Sequence, residues 1–229
     1  MRGFFVAGTD TGVGKTEISR ALCGMLRDRG HHPTPLKPAE TGCASDQPED
    51  ALALQKACGT ALPLDQICPY RFRLPAAPLV AAEAEGRTID VGLLEAVAAR
   101  ARQPLVVEAA GGLIVPFARQ AGRVLTNLDL AERFQLPVVL VGRAGLGTLN
   151  HCSLSAAAIT ARGLVLAGIV LNRVAAKDDP SVASNPFWVS ELTGARVFGP
   201  TPYVPDAAAR PALLKTLLSA LIDTLEARR

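Results

Sequence analysis

The chain has 229 residues, 49% of them hydrophobic and 20% charged, enough apolar material for a buried core and too much for a mainly disordered chain. Its formal charge of +3, with no basic run, gives no electrostatic case for nucleic acid, and no apolar stretch approaches the roughly 18–20 residues that span a bilayer. Five cysteines, odd in number and without a Cys-x-x-Cys pair, read as reduced thiols rather than a disulfide framework or a zinc site.

In chain order, β-prone apolar runs fall at 3–8, 34–37, 104–108, 137–141, 164–171 and 195–199. The first is too short for the hydrophobic region of a signal peptide, so a cytoplasmic location is expected. Between the runs, Leu and Ala recur at helical spacing over 15–29, 48–57, 90–102, 127–134, 148–162, 185–192 and 207–226. Alternation of this kind predicts an α/β fold, a mainly parallel sheet with helices on both faces, as a single domain over 1–229. The run Val138-Val139-Leu140-Val141 lacks polar alternation, as a strand covered on both faces should. In such sheets ligands bind beyond the carboxyl ends of the strands, which singles out 8–16, 37–41, 108–112, 142–150 and 172–173.

Gly8-Thr9-Asp10-Thr11-Gly12-Val13-Gly14-Lys15-Thr16 follows a strand and opens a helix, the setting of a phosphate-binding loop. Glycines let backbone N–H groups converge on phosphate oxygens, the helix N-terminus adds positive potential, Lys15 reaches the β and γ phosphates, and the Thr16 hydroxyl suits Mg²⁺. The spacing departs from the common form, because Gly8 and Gly14 enclose five residues rather than four. A magnesium nucleotide also needs carboxylates opposite the loop. Glu108 ends an apolar strand and precedes Ala109-Ala110-Gly111-Gly112, small residues that leave room for phosphate. Asp50 is a second candidate, although spacing alone reads it equally as a first-turn acid complementing its helix dipole. Lys37 ends a predicted strand and Thr41 follows closely; with only five lysines against 19 arginines in the chain, a lysine placed there carries more information than usual.

These segments together, with Gly145-Leu146-Gly147-Thr148-Leu149-Asn150-His151, closely resemble the dethiobiotin synthetase family over nearly the whole chain. The resemblance implies a P-loop NTPase-like, ATP- and Mg²⁺-dependent ligase that closes the cyclic urea of dethiobiotin from 7,8-diaminononanoate and CO₂ in biotin biosynthesis. It implies Lys15 and Lys37 as catalytic, with Thr16, Asp50 and Glu108 holding Mg²⁺. It further implies Thr11, Gly12, Val13, Gly14, Lys15, Thr16, Glu108, Gly111, Asn172 and Pro202 at the nucleotide, Asn172 reading the adenine edge. Thr11, Lys37, Thr41, Gly147, Thr148, Leu149 and Asn150 would bind the substrate, the last four reaching it from the neighbouring subunit of a homodimer with shared sites. No nucleic-acid or membrane partner is implied. Members often carry Glu at the position of Gly12 and Gly at that of Ala109, and a lysine that some have near Ala144 is missing.

Residues outside these motifs are expected to do less. His31 and His32 read as solvated turn residues and His151 as support for a helix start. The segment 155–161 reads either as packing against the sheet or as a dimer contact. Two other readings share the fold. ParA/MinD-like switch ATPases usually carry a second lysine where this chain has Asp10, and cobyrinate-type amidating synthases need a glutaminase domain for which the chain has no room.

Overall fold

The computed structural model describes residues 2–44, 47–176, 178–204 and 210–227. Its first half runs β1 (Gly3–Gly8), α1 (Lys15–Asp28), β2 (Thr34–Leu36), β3 (Ala39–Thr41), α2 (Glu49–Cys58), α3 (Leu64–Ile67), β4 (Tyr70–Phe72), α4 (Pro78–Ala84), α5 (Val91–Arg100) and β5 (Leu105–Glu108). There follow β6 (Pro116–Gln120), β7 (Arg123–Thr126), α6 (Asn127–Phe134), β8 (Val138–Arg143), α7 (Thr148–Ala161), β9 (Leu166–Asn172), a 3-10 turn (Pro180–Ala183), α8 (Asn185–Thr193), β10 (Val197–Phe198) and α9 (Arg210–Ala227). The predicted beginning of the last helix, 207–209, lies outside the described residues. No helix among the described residues is long and apolar enough to cross a membrane.

Six of these strands form one sheet, ordered β10-β9-β8-β1-β5-β2 and parallel throughout. Both of its faces are buried, which is why its strands read as unbroken apolar runs. Successive side chains take opposite faces. On one side Phe4 and Val6 of β1, Val106 of β5, and Val139 and Val141 of β8 pack with Ile18, Leu22 and Leu26 of α1 and with Leu218, Leu221 and Ile222 of α9. On the other, Phe5, Val107 and Leu140 pack with Leu94 of α5, Leu130 of α6, Ile159 of α7 and Val189 of α8. All five cysteines are free and buried.

The alternation also decides where the strand ends aim. Glu108 shares the parity of Val106, Arg143 that of Val141, Asn172 that of Val170 and Gly8 that of Val6, so all four face the α1 side. Because Leu36 pairs with Val107, the next residues, Lys37 and Glu108, stand side by side.

Several elements were not predicted. β3 and β4 have three residues each and form a separate parallel pair. β6 and β7 form a hairpin whose central residues, Ala121 (φ 48°) and Gly122 (φ 77°), are both left-handed. That is the pattern of a type I′ turn, hidden because Ala replaces the usual Asn or Asp. The short helices α3 and α4 also escaped notice, with too few turns to build a periodic pattern. His31 differs from its expectation: it is half-buried and its Nε2 lies 2.8 Å from Glu226 of α9, a contact between chain ends that local sequence cannot reveal.

Phe5 is fully buried beside Phe134, with ring centroids 6.3 Å apart. Phe5→Ala is expected to cost about 3–5 kcal/mol in urea unfolding, whereas Val80→Ala at an exposed site of α4 should stay within about 0.5 kcal/mol.

Candidate functional site

The loop 9–14 leaves the end of β1 and turns into α1 through two left-handed glycines, Gly12 (φ 69°) and Gly14 (φ 93°). At Gly14 the requirement is spatial as well, since a Cβ there would meet Asn172 Nδ2 at 2.0 Å. No side chain caps α1, whose N-terminus is thereby suited to an anion. Gly8 leaves space over which Lys15 curls back; Lys15 Nζ donates to the Asp10 carbonyl at 3.0 Å. Burial, reinforced by repulsion from Lys37, lowers the Lys15 pKa to about 8 against the partial opposition of Glu108, Asp50 and Asp10.

Below the loop, four sequence-predicted residues converge. Lys37 Nζ donates to Glu108 Oε1 at 2.6 Å and to Asp50 Oδ2 at 2.8 Å. The Thr16 hydroxyl lies 2.7 Å from Asp50 Oδ1 and 2.9 Å from Glu108 Oε1. Lys37 and Glu108 are buried, Asp50 less so. Burial by itself would discharge Lys37, but the charges of Glu108 and Asp50 outweigh it and hold the ammonium above the usual lysine value. For Asp50, burial acts upward and is overcome by Lys37 and the Thr16 hydrogen bond, leaving the carboxyl below its ordinary range. A threonine hydroxyl has one proton, so it cannot donate to both carboxylates at once. Glu108 Oε2 is buried and has no hydrogen-bond partner among the described residues. A hydroxyl and two carboxylates converging here, with one carboxylate oxygen unsatisfied, fit a small divalent cation completed by phosphate and water.

Two clefts meet at the loop. One, of about 530 Å³, is lined by Thr11, Lys15, Thr16, Lys37, Thr41 and Asp50 among others, and also by Gly111. The other, of about 220 Å³, is lined by Gly12, Gly14, Asn172, Thr201 and Pro202, and shares Gly12 and Gly14 with the first. The larger volume suits phosphates and substrate, and the smaller a base. Val13 itself is fully buried, its carbonyl accepting from Asn172 Nδ2 at 2.9 Å. The Asn172 side-chain oxygen Oδ1 accepts from the Thr201 hydroxyl at 2.6 Å.

Gly147, Thr148, Leu149 and Asn150 stand apart, at the start of α7, and line neither cleft. Their helix has Gly147 at φ 92° as its cap, without a side-chain hydrogen bond, and Leu146 beside it is 88% exposed. His151 is exposed as well. In the 155–161 stretch, Ala156 and Ile159 pack into the core while Leu154, just before it, is exposed.

Three positioning contacts had no sequence signal of their own. Arg143 Nη2 donates to Asp10 Oδ2 and to the Thr11 carbonyl, both at 3.2 Å, so Asp10 serves an ion pair where a switch ATPase has its second lysine. Buried Asn127 donates to the carbonyls of Ala110 and Gly112, each at 2.7 Å, and so fixes the glycine segment after Glu108. Glu40 accepts from the backbone N–H groups of Asp50 at 2.9 Å and Ala51 at 3.0 Å.

A family model described as an AAA domain matches residues 2–210. The ATP-dependent dethiobiotin synthetase BioD of Anaeromyxobacter sp. (strain Fw109-5) is 45% identical over 227 residues, covering 97% of this chain and 100% of that protein. The chain belongs to the dethiobiotin synthetase family. The protein of the same name from Bacillus subtilis (strain 168) is 36% identical over 206 residues, 88% of this chain and 87% of its own.

Against the dethiobiotin synthetase pattern, Gly12 departs at a left-handed position facing open space, where glycine relieves strain that a Glu would carry. Ala109, a second departure, is buried in the core on the far side of the sheet from α1. Gly14→Ala adds both a Cβ clash and a disfavoured φ. It is expected to abolish binding of a non-hydrolysable ATP analogue in calorimetry while circular dichroism stays that of the folded protein.

Proposed function

We propose that this chain, acting as a single domain over 1–229, is an ATP-dependent ligase that converts 7,8-diaminononanoate and CO₂ into dethiobiotin. The observation that carries this reading is the meeting of Lys15, Lys37, Thr16 and Asp50 in one cleft, with buried Glu108 bonded to Lys37 and Thr16 beneath it, in a chain from the dethiobiotin synthetase family. Thr16, Asp50 and Glu108 would hold Mg²⁺, whose bound charge offsets the negative charge of the triphosphate.

The reaction needs no protein nucleophile. A neutral amine of the diamine attacks CO₂ to give a carbamate, and a carbamate oxygen then takes the γ-phosphoryl group from ATP. The second amine attacks the carbonyl carbon, and the C–O bond to phosphate breaks as the urea ring closes. What this chain supplies is position and charge. The N–H groups at the start of α1, with Lys15, hold the phosphates, and Lys37 stands where charge builds on the carbamate and the moving phosphoryl group. Thr11 and Thr41, both at the rim of this cleft, orient the diamine. Gly111, held by its Asn127-braced neighbours, keeps side-chain bulk away from the phosphates. Asn172 and Pro202 border the adenine.

The second substrate end supports a homodimer. Gly147, Thr148, Leu149 and Asn150 present an uncapped helix N-terminus, which attracts a carboxylate, yet they lie outside the cleft of their own chain. A partner copy would bring them to it. The reaction belongs in the cytoplasm, where ATP is available and the five buried thiols stay reduced.

Phosphate release from ATP and Mg²⁺ is expected to require both the diamine and bicarbonate. A steady basal hydrolysis without the diamine would favour a switch ATPase and end this reading. In the same assay Lys37→Ala should lower kcat by roughly 10²–10³-fold while analogue affinity changes little.

A further inference from the structure

We propose that Glu40 is a positioning residue for this site: by holding the first turn of α2 it sets Asp50 against Thr16 and Lys37. The inference rests on the reading of Asp50 as a magnesium ligand.

The start of α2 lacks a cap of its own. Its cap position is Pro48, which makes no side-chain hydrogen bond to the helix. The amides an ordinary cap would satisfy are those of the second and third helical residues, here Asp50 and Ala51. Glu40 takes both, one with each carboxylate oxygen, from β3, ten residues upstream of Asp50. It is itself buried, at 7% exposure. Bonds from backbone N–H to an ionised carboxylate are short and strong, and the charge complements the helix dipole.

A cap supplied this way does more than end a helix. Lys37 and Glu40 are three residues apart on the same stretch, and the Glu40 backbone is anchored by pairing with Arg71 of β4. Lys37 grips the Asp50 side chain at 2.8 Å while Glu40 grips its backbone N–H at 2.9 Å. The two form a closed loop that fixes the distance between acid and ammonium. A local cap at residue 48 would hold the same two amides and so recover most of this placement, lacking only the tie to β3. Glu40 also lines the phosphate cleft, so a direct role toward metal or substrate is the competing account.

The test compares wild type, Glu40→Ala, Glu40→Gln and Glu40→Ala/Pro48→Asp, the last placing a cap carboxylate where Pro48 already has extended backbone. Calorimetry measures affinity for a non-hydrolysable ATP analogue with Mg²⁺ and with EDTA. Glu40→Ala should lose about tenfold in the magnesium-dependent gain in affinity, with binding in EDTA nearly unchanged. Glu40→Gln, which keeps one acceptor, should fold and fall between, and Pro48→Asp should restore most of the loss. In turnover, Glu40→Ala should raise the Mg²⁺ concentration needed for half-maximal rate and lower kcat, with the diamine KM little changed. An unaltered magnesium response in both single variants overturns the proposal. So does a loss that Pro48→Asp leaves unrepaired, since Glu40 would then act on the metal or substrate itself. A wild type whose analogue binding ignores Mg²⁺ would instead overturn the reading of Asp50, Glu108 and Thr16, and the proposal with it.

Discussion

Glu108 is fully buried at the end of a central strand, and the cost of keeping its charge there organises the site around it. An unpaired buried carboxylate costs several kcal/mol, so it needs a cation, and Lys37 at 2.6 Å supplies one. Lys37 is buried in turn and needs more than half a partner, which Asp50 provides. Thr16 then bridges the two acids. The arrangement satisfies the ammonium better than the carboxylates, because one oxygen of Glu108 still lacks a partner. Lys15 is the converse case, a buried ammonium whose charge is opposed by its surroundings and would be relieved by phosphate. The cluster thus has room in its charge balance for a cation on its acid side and an anion on its loop side, which the proposed magnesium nucleotide would bring together.

What brings these groups together is strand parity rather than any local signal. Near their carboxyl ends the central strands bury alternate residues on the α1/α9 face, and each ends on a residue of that same parity: Gly8, Glu108, Arg143 and Asn172. A shift of one residue in any of them would turn the functional group toward the opposite core. The parallel register of β2 on β5 adds Lys37 beside Glu108. The apolar packing that stabilises the sheet and the aim of the polar groups at its edge are therefore one constraint, and core substitutions that alter register would be felt first at the site.

Much of this could be read from the chain. The buried strands announced themselves by unbroken Val and Leu, and the loop 8–16 by glycines and Gly-Lys-Thr after a strand, so the central sheet, α1 and the groups Lys15, Thr16, Lys37 and Glu108 were legible. Asp50 was ambiguous: it lies in the first turn of α2, as one reading had it, and it also lines the cleft, where its role as a metal ligand is the proposal made above. The hidden parts depend on distance along the chain. Glu40 caps a helix from ten residues away, Asn127 braces a loop 15 and 17 residues earlier, and Arg143 reaches Asp10 across 133 positions. Sequence windows register caps at the adjoining residue, and here Pro48 occupies that place.

The same long reach links the two ends of the molecule that would meet different parts of the substrates. After β9, Asn172 holds the Val13 carbonyl and Thr201 at the edge of the smaller cleft. A few residues on, Asp179 accepts from the Leu146 N–H at 2.8 Å, and Asn185 donates to the carbonyls of Ala144 at 2.7 Å and Gly145 at 3.1 Å. Gly145 has no room for a side chain, since a Cβ would lie 2.4 Å from Asp179 Oδ2. The loop entering α7 is therefore shaped in part by the connection that leaves the smaller cleft. In a homodimer with shared sites, that connection would run from the nucleotide of one subunit to the helix start offered to its partner, so the two active sites would rest on one continuous scaffold.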